Sequence, residues 1–240
     1  MFTIFMFLSC TTQIPANGDG EYNWGGFVYS DIPSDVAEGL TTGDIEVRNS
    51  DNETMTFGLQ ADPQNPGNWQ LPIERSEAVS IRISGPEQLT TVWRANTPPA
   101  NAFWFSGTFF AVKAETIVPL WDSLSGLIDT TGIETDRVHL YGESLSLNEA
   151  DLAAWTKADI TIYDGDGAMH NAVTLSTTDD GFMQPSGDGT GPITAFTAIN
   201  LAPGEIRLVI DASDGRTMVM DYFAEPGDLL SAFAFTLPEQ

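Results

Sequence analysis

The stretch Ala158-Asp159-Ile160-Thr161-Ile162-Tyr163-Asp164-Gly165-Asp166-Gly167 sets the reading of the whole chain. Ile160 and Ile162 alternate with Asp159, Thr161 and Tyr163, the period of a half-buried strand. Asp164 to Gly167 is a run of turn formers that reverses the chain at once. Farther on, Ala202-Pro203-Gly204 leads into Glu205-Ile206-Arg207-Leu208-Val209-Ile210, which alternates again. The same grammar runs upstream, through Gly26-Phe27-Val28-Tyr29-Ser30, Asp44-Ile45-Glu46-Val47-Arg48, Val79-Ser80-Ile81-Arg82-Ile83 and Thr91-Val92-Trp93. Short alternating runs broken by Gly, Pro, Asn and Asp predict an all-β chain.

The runs come twice in one order. Val138 to Gly142 echoes Phe27 to Ser30, Asp159 to Asp164 echoes Asp44 to Asn49, and Glu205 to Ile210 echoes Val79 to Ile83. Thr217-Met218-Val219-Met220 matches Thr91-Val92-Trp93-Arg94, and Ala232 to Phe235 matches Ala102 to Phe105. An internal duplication of a unit of ordinary domain size follows. Strands this short need two sheets packed face to face, so two tandem small β-sandwiches, transthyretin-like or Ig-like, are expected at 25–113 and 137–240. A single large sandwich is the other arrangement. Residues 137–240 expressed alone are expected to fold cooperatively, because they hold every repeated strand.

The segment 114–136 between the copies carries one short helix, expected over 116–130. Ile117, Trp121, Leu124 and Ile128 form one stripe, with Pro119 in the first turn and Gly132 at the exit. The stripe is expected on a sandwich edge.

At this point the second copy resembles the carboxypeptidase regulatory-like, or transthyretin-like, β-sandwich. The resemblance rests on Asp159-Ile160-Thr161-Ile162, the Asp164–Gly167 turn, Thr178-Asp179-Asp180-Gly181-Phe182, and Phe196 to Gly204 leading into Glu205 to Ile210. The first copy departs from the pattern, with Asn68-Trp69 in place of Gly-Phe and no Pro-Gly before Val79. The resemblance implies a non-catalytic accessory fold, common in tandem on bacterial surface lipoproteins.

The N-terminus agrees with that setting. Met1 to Leu8 is an apolar run too short to span a membrane, and a polar stretch follows Cys10, the one cysteine of the chain. Residues 1–9 are read as a lipoprotein-type signal peptide and 10–24 as a flexible tether. Phe7-Leu8-Ser9-Cys10 resembles a bacterial lipobox, with Phe7 where Leu is usual. The resemblance implies lipidation at Cys10 and a membrane partner through that anchor. With Thr11 rather than Asp after the cysteine, it implies an outer-membrane or cell-surface location.

Composition narrows the chemistry. The 240 residues carry 34 Asp+Glu against 9 Lys+Arg, a formal charge of −25, with the acids spread along the chain. Nucleic acid is excluded as a partner, because phosphate binding needs clustered Lys and Arg. One cysteine and two histidines exclude a disulfide framework and a Cys/His zinc cluster. Gly142-Glu143-Ser144-Leu145-Ser146 approaches a nucleophile elbow but ends in Ser and lies among strands, so no enzyme is expected. His139 reads as an exposed strand residue. Asp164, Asp166, Asp179 and Asp180 are candidate Ca²⁺ ligands, although Asp-Gly is also ordinary turn chemistry and Leu175 at the twelfth position excludes an EF-hand. No other cofactor is expected. Trp93 and Trp104, within an aromatic cluster extending to Phe110, either fill a core or offer rings to a glycan or other ligand. A structural or interaction module with an envelope protein or glycan as partner is therefore expected.

Overall fold

The computed structural model describes residues 22–31, 38–48, 54–58, 68–73, 78–96, 106–124, 133–143, 155, 158–177, 183–185 and 193–232. The first half runs β1 (Tyr22–Ser30), β2 (Glu38–Gly39), β3 (Asp44–Arg48), β4 (Thr54–Gly58), β5 (Asn68–Ile73), β6 (Ala78–Ser84), β7 (Thr91–Asn96) and β8 (Ser106–Ala111). Helix α1 (Ala114–Ser123) follows. The second half runs β9 (Val138–Glu143), β10 (Asp159–Tyr163), β11 (Met169–Asn171), β12 (Val173–Thr177), β13 (Met183–Pro185), β14 (Ala195–Leu201), β15 (Gly204–Asp211), β16 (Thr217–Ala224) and β17 (Leu229–Ser231). The all-β expectation holds.

The halves repeat one topology. In the first, the antiparallel order is β4-β3-β6-β7, and in the second it is β11-β10-β15-β16. Likewise β1 has β5 antiparallel and β8 parallel beside it, as β9 has β14 and β17. One pair of hydrogen bonds fixes the equivalence at the side-chain level. The Trp93 indole Nε1 donates to the Phe110 carbonyl at 3.0 Å, and the Tyr222 hydroxyl donates to the Ser231 carbonyl at 3.1 Å. Each thus ties the last strand of its antiparallel sheet to the parallel strand opposite. Tyr222, rather than Val219, is therefore the counterpart of Trp93. The match expected between Thr217–Met220 and Thr91–Arg94 is three residues out of register, an odd slip that sets exposed Val219 against buried Trp93; Met218, Val219 and Met220 are apolar in succession, so the sequence marks no phase there.

The halves are also joined. Strand β17 lies between β9 and β7, parallel to both, and completes a nine-stranded sheet ordered β13-β12-β14-β9-β17-β7-β6-β3-β4. Leu229 donates its N–H to the Thr90 carbonyl at 2.8 Å on one side, while Ala232 donates to the Tyr141 carbonyl at 3.0 Å on the other.

Alternation along this sheet divides two cores. Ile45, Val47, Ile81, Ile83, Trp93, Tyr141, Ala195 and Leu229 face one side, with Val28, Phe109 and Phe110 of the β1–β8 layer packed on them. Val92, Leu140, Phe196 and Leu230 face the other, against Ile160, Ile162, Ile206, Leu208 and Ile210 of the β10–β15–β16 layer. A residue-by-residue flip along β17 thus places Leu229 in one core and Leu230 in the other.

Helix α1 differs from its expected form in two ways. It begins at Ala114, so Pro119 lies beyond the first turn, where its missing N–H breaks the helical ladder. The burial of Ile117, Trp121 and Leu124 offsets that loss. The stripe packs on the sheet face over β9 and β14 rather than on an edge: the Trp121 Nε1 donates to Thr197 Oγ1 at 2.9 Å, and Thr197 Oγ1 donates to the Leu140 carbonyl at 2.7 Å. Ile128 and Gly132 lie outside the described residues.

Candidate functional site

The outward face of the β11-β10-β15-β16 sheet stands apart from the rest of the surface. Inward, Ile160, Ile162, Ile206, Leu208 and Ile210 are buried. The alternate positions point out, and the register sets them in rows across the strands. Met169 lies beside Tyr163, Tyr163 beside Arg207, and Arg207 beside Asp221. In the next row Asn171, Thr161, Val209 and Val219 are neighbours, and Phe223 stands beside Glu205. Tyr163, Met169, Val219 and Phe223 are 40, 64, 51 and 49% exposed, and they are the exposed large apolar side chains among the described residues. All four share this one face.

Charge is arranged around them. Arg207 holds Asp221 by two hydrogen bonds, 2.7 Å from Nε and 3.3 Å from the terminal nitrogen, in the middle of the face. Arg48 of β3 lies 5.5 Å from the Phe223 ring centre, a cation–π contact across the junction of the halves. Apolar side chains thus flank a planar ion pair on this face.

A polar concavity of about 650 Å³ opens beside the end of β1 and includes Ser30, Asp31, Gln88, Lys113 and Thr116. Asp31 holds a positive φ of 123°, a strained backbone for a residue with a Cβ. Its buried carboxylate accepts a 2.6 Å hydrogen bond from Thr116 Oγ1. This cluster ties β1 to the start of α1.

Of the candidate Ca²⁺ ligands, Asp164 is the centre of a donor cluster. Its Oδ1 accepts the N–H groups of Asp166 at 3.1 Å and Ala168 at 2.9 Å, and its Oδ2 accepts the Ala202 N–H at 3.2 Å and meets His170 Nε2 at 2.9 Å. Burial pushes this carboxyl up, but His170 and the backbone donors outweigh burial and hold it below its ordinary range. Asp164 thus clips the β10–β11 turn to the Ala202-Pro203-Gly204 turn. Gly165 permits the contact, since a Cβ there would collide with the Pro203 carbonyl. Asp166 is exposed, and Asp179 and Asp180 lie outside the described residues.

Trp93 is buried, its ring 5.3 Å edge-on to Phe109 and 6.1 Å from Phe110 in a stack. Trp104 and Cys10 lie outside the described residues. Gly142, the first residue of the elbow-like motif, sits within β9, where a Cβ would collide with the Phe196 ring and the Ala232 carbonyl. Its glycine is explained by packing. His139 is buried rather than exposed, because core lies on one side of β9 and Trp121 covers the other, 4.7 Å from the imidazole. Burial pushes its pKa from 6.5 down to about 4, and the Asn200 N–H donates to its Nδ1 at 3.3 Å.

Composition and motifs alone do not single out the exposed face. The signal was present: Tyr163, Val209, Val219 and Phe223 occupy the phases of their strands that alternation assigns to solvent. A surface phase carrying apolar residues in three neighbouring strands marks such a face.

No family model matches the chain, and no curated protein matches it. Among solved structures it is distantly similar to the TIE protein of Bacillus anthracis, at 7% identity and a TM-score of 0.27. That match covers 89% of this chain and 34% of the other, so the chain spans about a third of the TIE protein's length. A protein of Bacteroides ovatus assigned as an adhesin is similar at 10% identity and a TM-score of 0.25, covering 90% of this chain and 93% of that one. Among the described residues, no helix is long and apolar enough to cross a membrane.

Proposed function

We propose that this chain is a non-catalytic cell-envelope lipoprotein, held at the outer membrane or cell surface through Cys10, that acts as a structural or interaction module. The observation that carries the interaction role is the gathering of Tyr163, Met169, Val219 and Phe223 on one face of one sheet. The anchor is supported by the sequence, where the lone cysteine follows an apolar run and precedes a polar, Gly-containing tether. Two or three acyl chains on Cys10 give stable membrane binding, since each buried CH₂ contributes about 0.8 kcal/mol and one chain binds marginally. With a charge of −25, the body is repelled by anionic headgroups and does not replace the anchor.

Cell fractionation tests the reading. Cys10→Ser releases the protein from membranes or stops its maturation while leaving the fold intact. Equal pelleting of the variant and the wild type, or a free thiol at Cys10 in the native protein, refutes the anchor. Replacing Tyr163 and Phe223 by Ser is expected to abolish crosslinking to an envelope partner without lowering the melting temperature.

A second reading, glycan binding, is favoured by the exposed Tyr163 ring beside the Arg207–Asp221 pair, which offers hydrogen bonds in the plane of the face. The buried Trp93 has its ring faces against Phe109 and Phe110, so Tyr163 is the residue on which this reading turns. A glycan array separates the two readings: specific binding lost in Tyr163→Ala selects the glycan.

A further inference from the structure

The junction between the halves is a template for a junction between molecules. Within the chain, the outer edge of β7 is filled by β17, which runs parallel to it in the register Leu229↔Thr91, Leu230↔Val92 and Ser231↔Trp93. The second half's layer then covers the outward side of β7, so that Val92 is fully buried. By topology and by the Trp93 and Tyr222 hydrogen bonds, β16 is the equivalent of β7, and β8 is the equivalent of β17. Among the described residues neither β16 nor β8 has a strand on its outer edge.

We propose that these two edges pair between copies, β8 of one molecule running parallel to β16 of the next, so that the chain assembles head to tail. A second copy is the occupant because the pairing continues an interface the chain already makes with itself. It also accounts for the exposed face. In the internal junction the side of β7 opposite the first core becomes buried, and the matching side of β16 carries Val219 and Phe223, half exposed beside the open edge. Between them Asp221 stands at the position of Val92, so the docked copy covers the Arg207–Asp221 pair together with these two side chains. The contact is heterologous, with two different edges meeting, so it generates chains rather than closed dimers. The charge of −25 opposes the approach of like molecules at low salt and is screened as salt rises. The inference rests on the reading of the protein as a structural module, but it does not depend on the anchor at Cys10.

Two edge variants test it. The Ala212 N–H donates to the Arg216 carbonyl at the β15–β16 turn, so alternation points the N–H of Val219 outward. The Asp31 N–H donates to the Ala111 carbonyl, which by the same alternation points the N–H of Thr108 away from β1. Val219→Pro and Thr108→Pro each block one outer edge without removing a bond inside a sheet. Sedimentation velocity on the purified full chain in about 0.5 M NaCl is expected to show a weight-average mass that rises with concentration, and a smaller rise at about 0.1 M. Each variant alone stays monomeric. An equimolar mixture of the two forms dimers and nothing larger, because each supplies the edge the other lacks. A wild type that is monomeric throughout, a variant that still grows alone, or a mixture that stays monomeric overturns the proposal. If a proline variant melts below the wild type, Val219→Lys or Thr108→Lys takes its place, with the same outcomes required.

Discussion

Strands β7 and β16 hold the same place in the two halves, yet one is interior to a sheet and the other is its border. On β7, Val92 is fully buried between layers, and the outer edge accepts β17. On β16, Asp221 stands at the corresponding position, exposed and paired with Arg207, the counterpart of Arg82. The two arginines differ in the same sense. Arg82 reaches across the junction to Asp228 at 2.8 Å and Glu225 at 2.7 Å, whereas Arg207 finds its acid on the neighbouring strand. Within one molecule the same backbone plan thus ends either inside a sheet or at its border, with different side chains at the matching positions.

The largest expected effect comes from breaking the interior case. Leu230→Asp puts an unpaired carboxylate into the second core on the strand that joins the halves, and is expected to destabilise by on the order of 5 kcal/mol. The same charge at Val219 of β16, already half exposed, is expected to change stability by less than about 0.5 kcal/mol. Urea unfolding of the two variants checks the contrast.

Arg82→Met leaves Asp228, which is 1% exposed, without its cation. A loss of about 3 kcal/mol is expected at pH 8. Burial pushes Asp228 up to about 6, so below that pH the carboxyl takes a proton and tolerates the loss of Arg82. The difference between variant and wild type is therefore smaller at pH 5 than at pH 8. Arg207→Met, acting on an exposed pair, is expected to cost far less.

His139 gives the folded chain a pH dependence. Its folded pKa of about 4 lies below the unfolded 6.5, so between these values the unfolded chain binds more protons. The stabilisation it carries is present above about pH 6.5 and is lost as the pH falls toward 4. Relative to His139→Gln, the wild type is expected to lose about 3 kcal/mol over that window, read from chemical denaturation at each pH.

The smallest effect tests the equivalence of Trp93 and Tyr222 directly. Tyr222→Phe removes the hydrogen bond to the Ser231 carbonyl at nearly constant volume, for an expected loss of about 1 kcal/mol. Trp93→Phe removes the matching bond to the Phe110 carbonyl and also shrinks the ring, so its cost is larger by the added cavity.

Much of this architecture was legible in the amino-acid sequence, for a definite reason. Ile45 and Val47, Ile160 and Ile162, and Ile206, Leu208 and Ile210 alternate because each lies in a strand with one face inward, so the strand order and its repetition could be read. Strand β17 could not. Leu229, Leu230 and Ser231 are buried on both faces and show no alternation, and their partners Thr91 to Trp93 lie far away in the chain. The burial of His139 is hidden from the sequence for a related reason, since the helix that covers its face comes from the segment between the halves. The Asp164–Gly167 run was readable as a turn, but its bond to Ala202 depends on a turn 38 residues away. At the candidate face, the residues were in plain view in the solvent phases of their strands. Only the register brought Tyr163, Arg207, Asp221 and Val219 together.

The central claim is that β17 makes the two matched halves one cooperative body, and differential scanning calorimetry of the full chain tests it most directly. A single transition is expected, with calorimetric and van't Hoff enthalpies in agreement. The isolated 137–240 segment, which lacks β7 and the covering helix α1, is expected to melt below it. Two separable transitions in the full chain, with the second at the melting temperature of the isolated segment, would contradict the account.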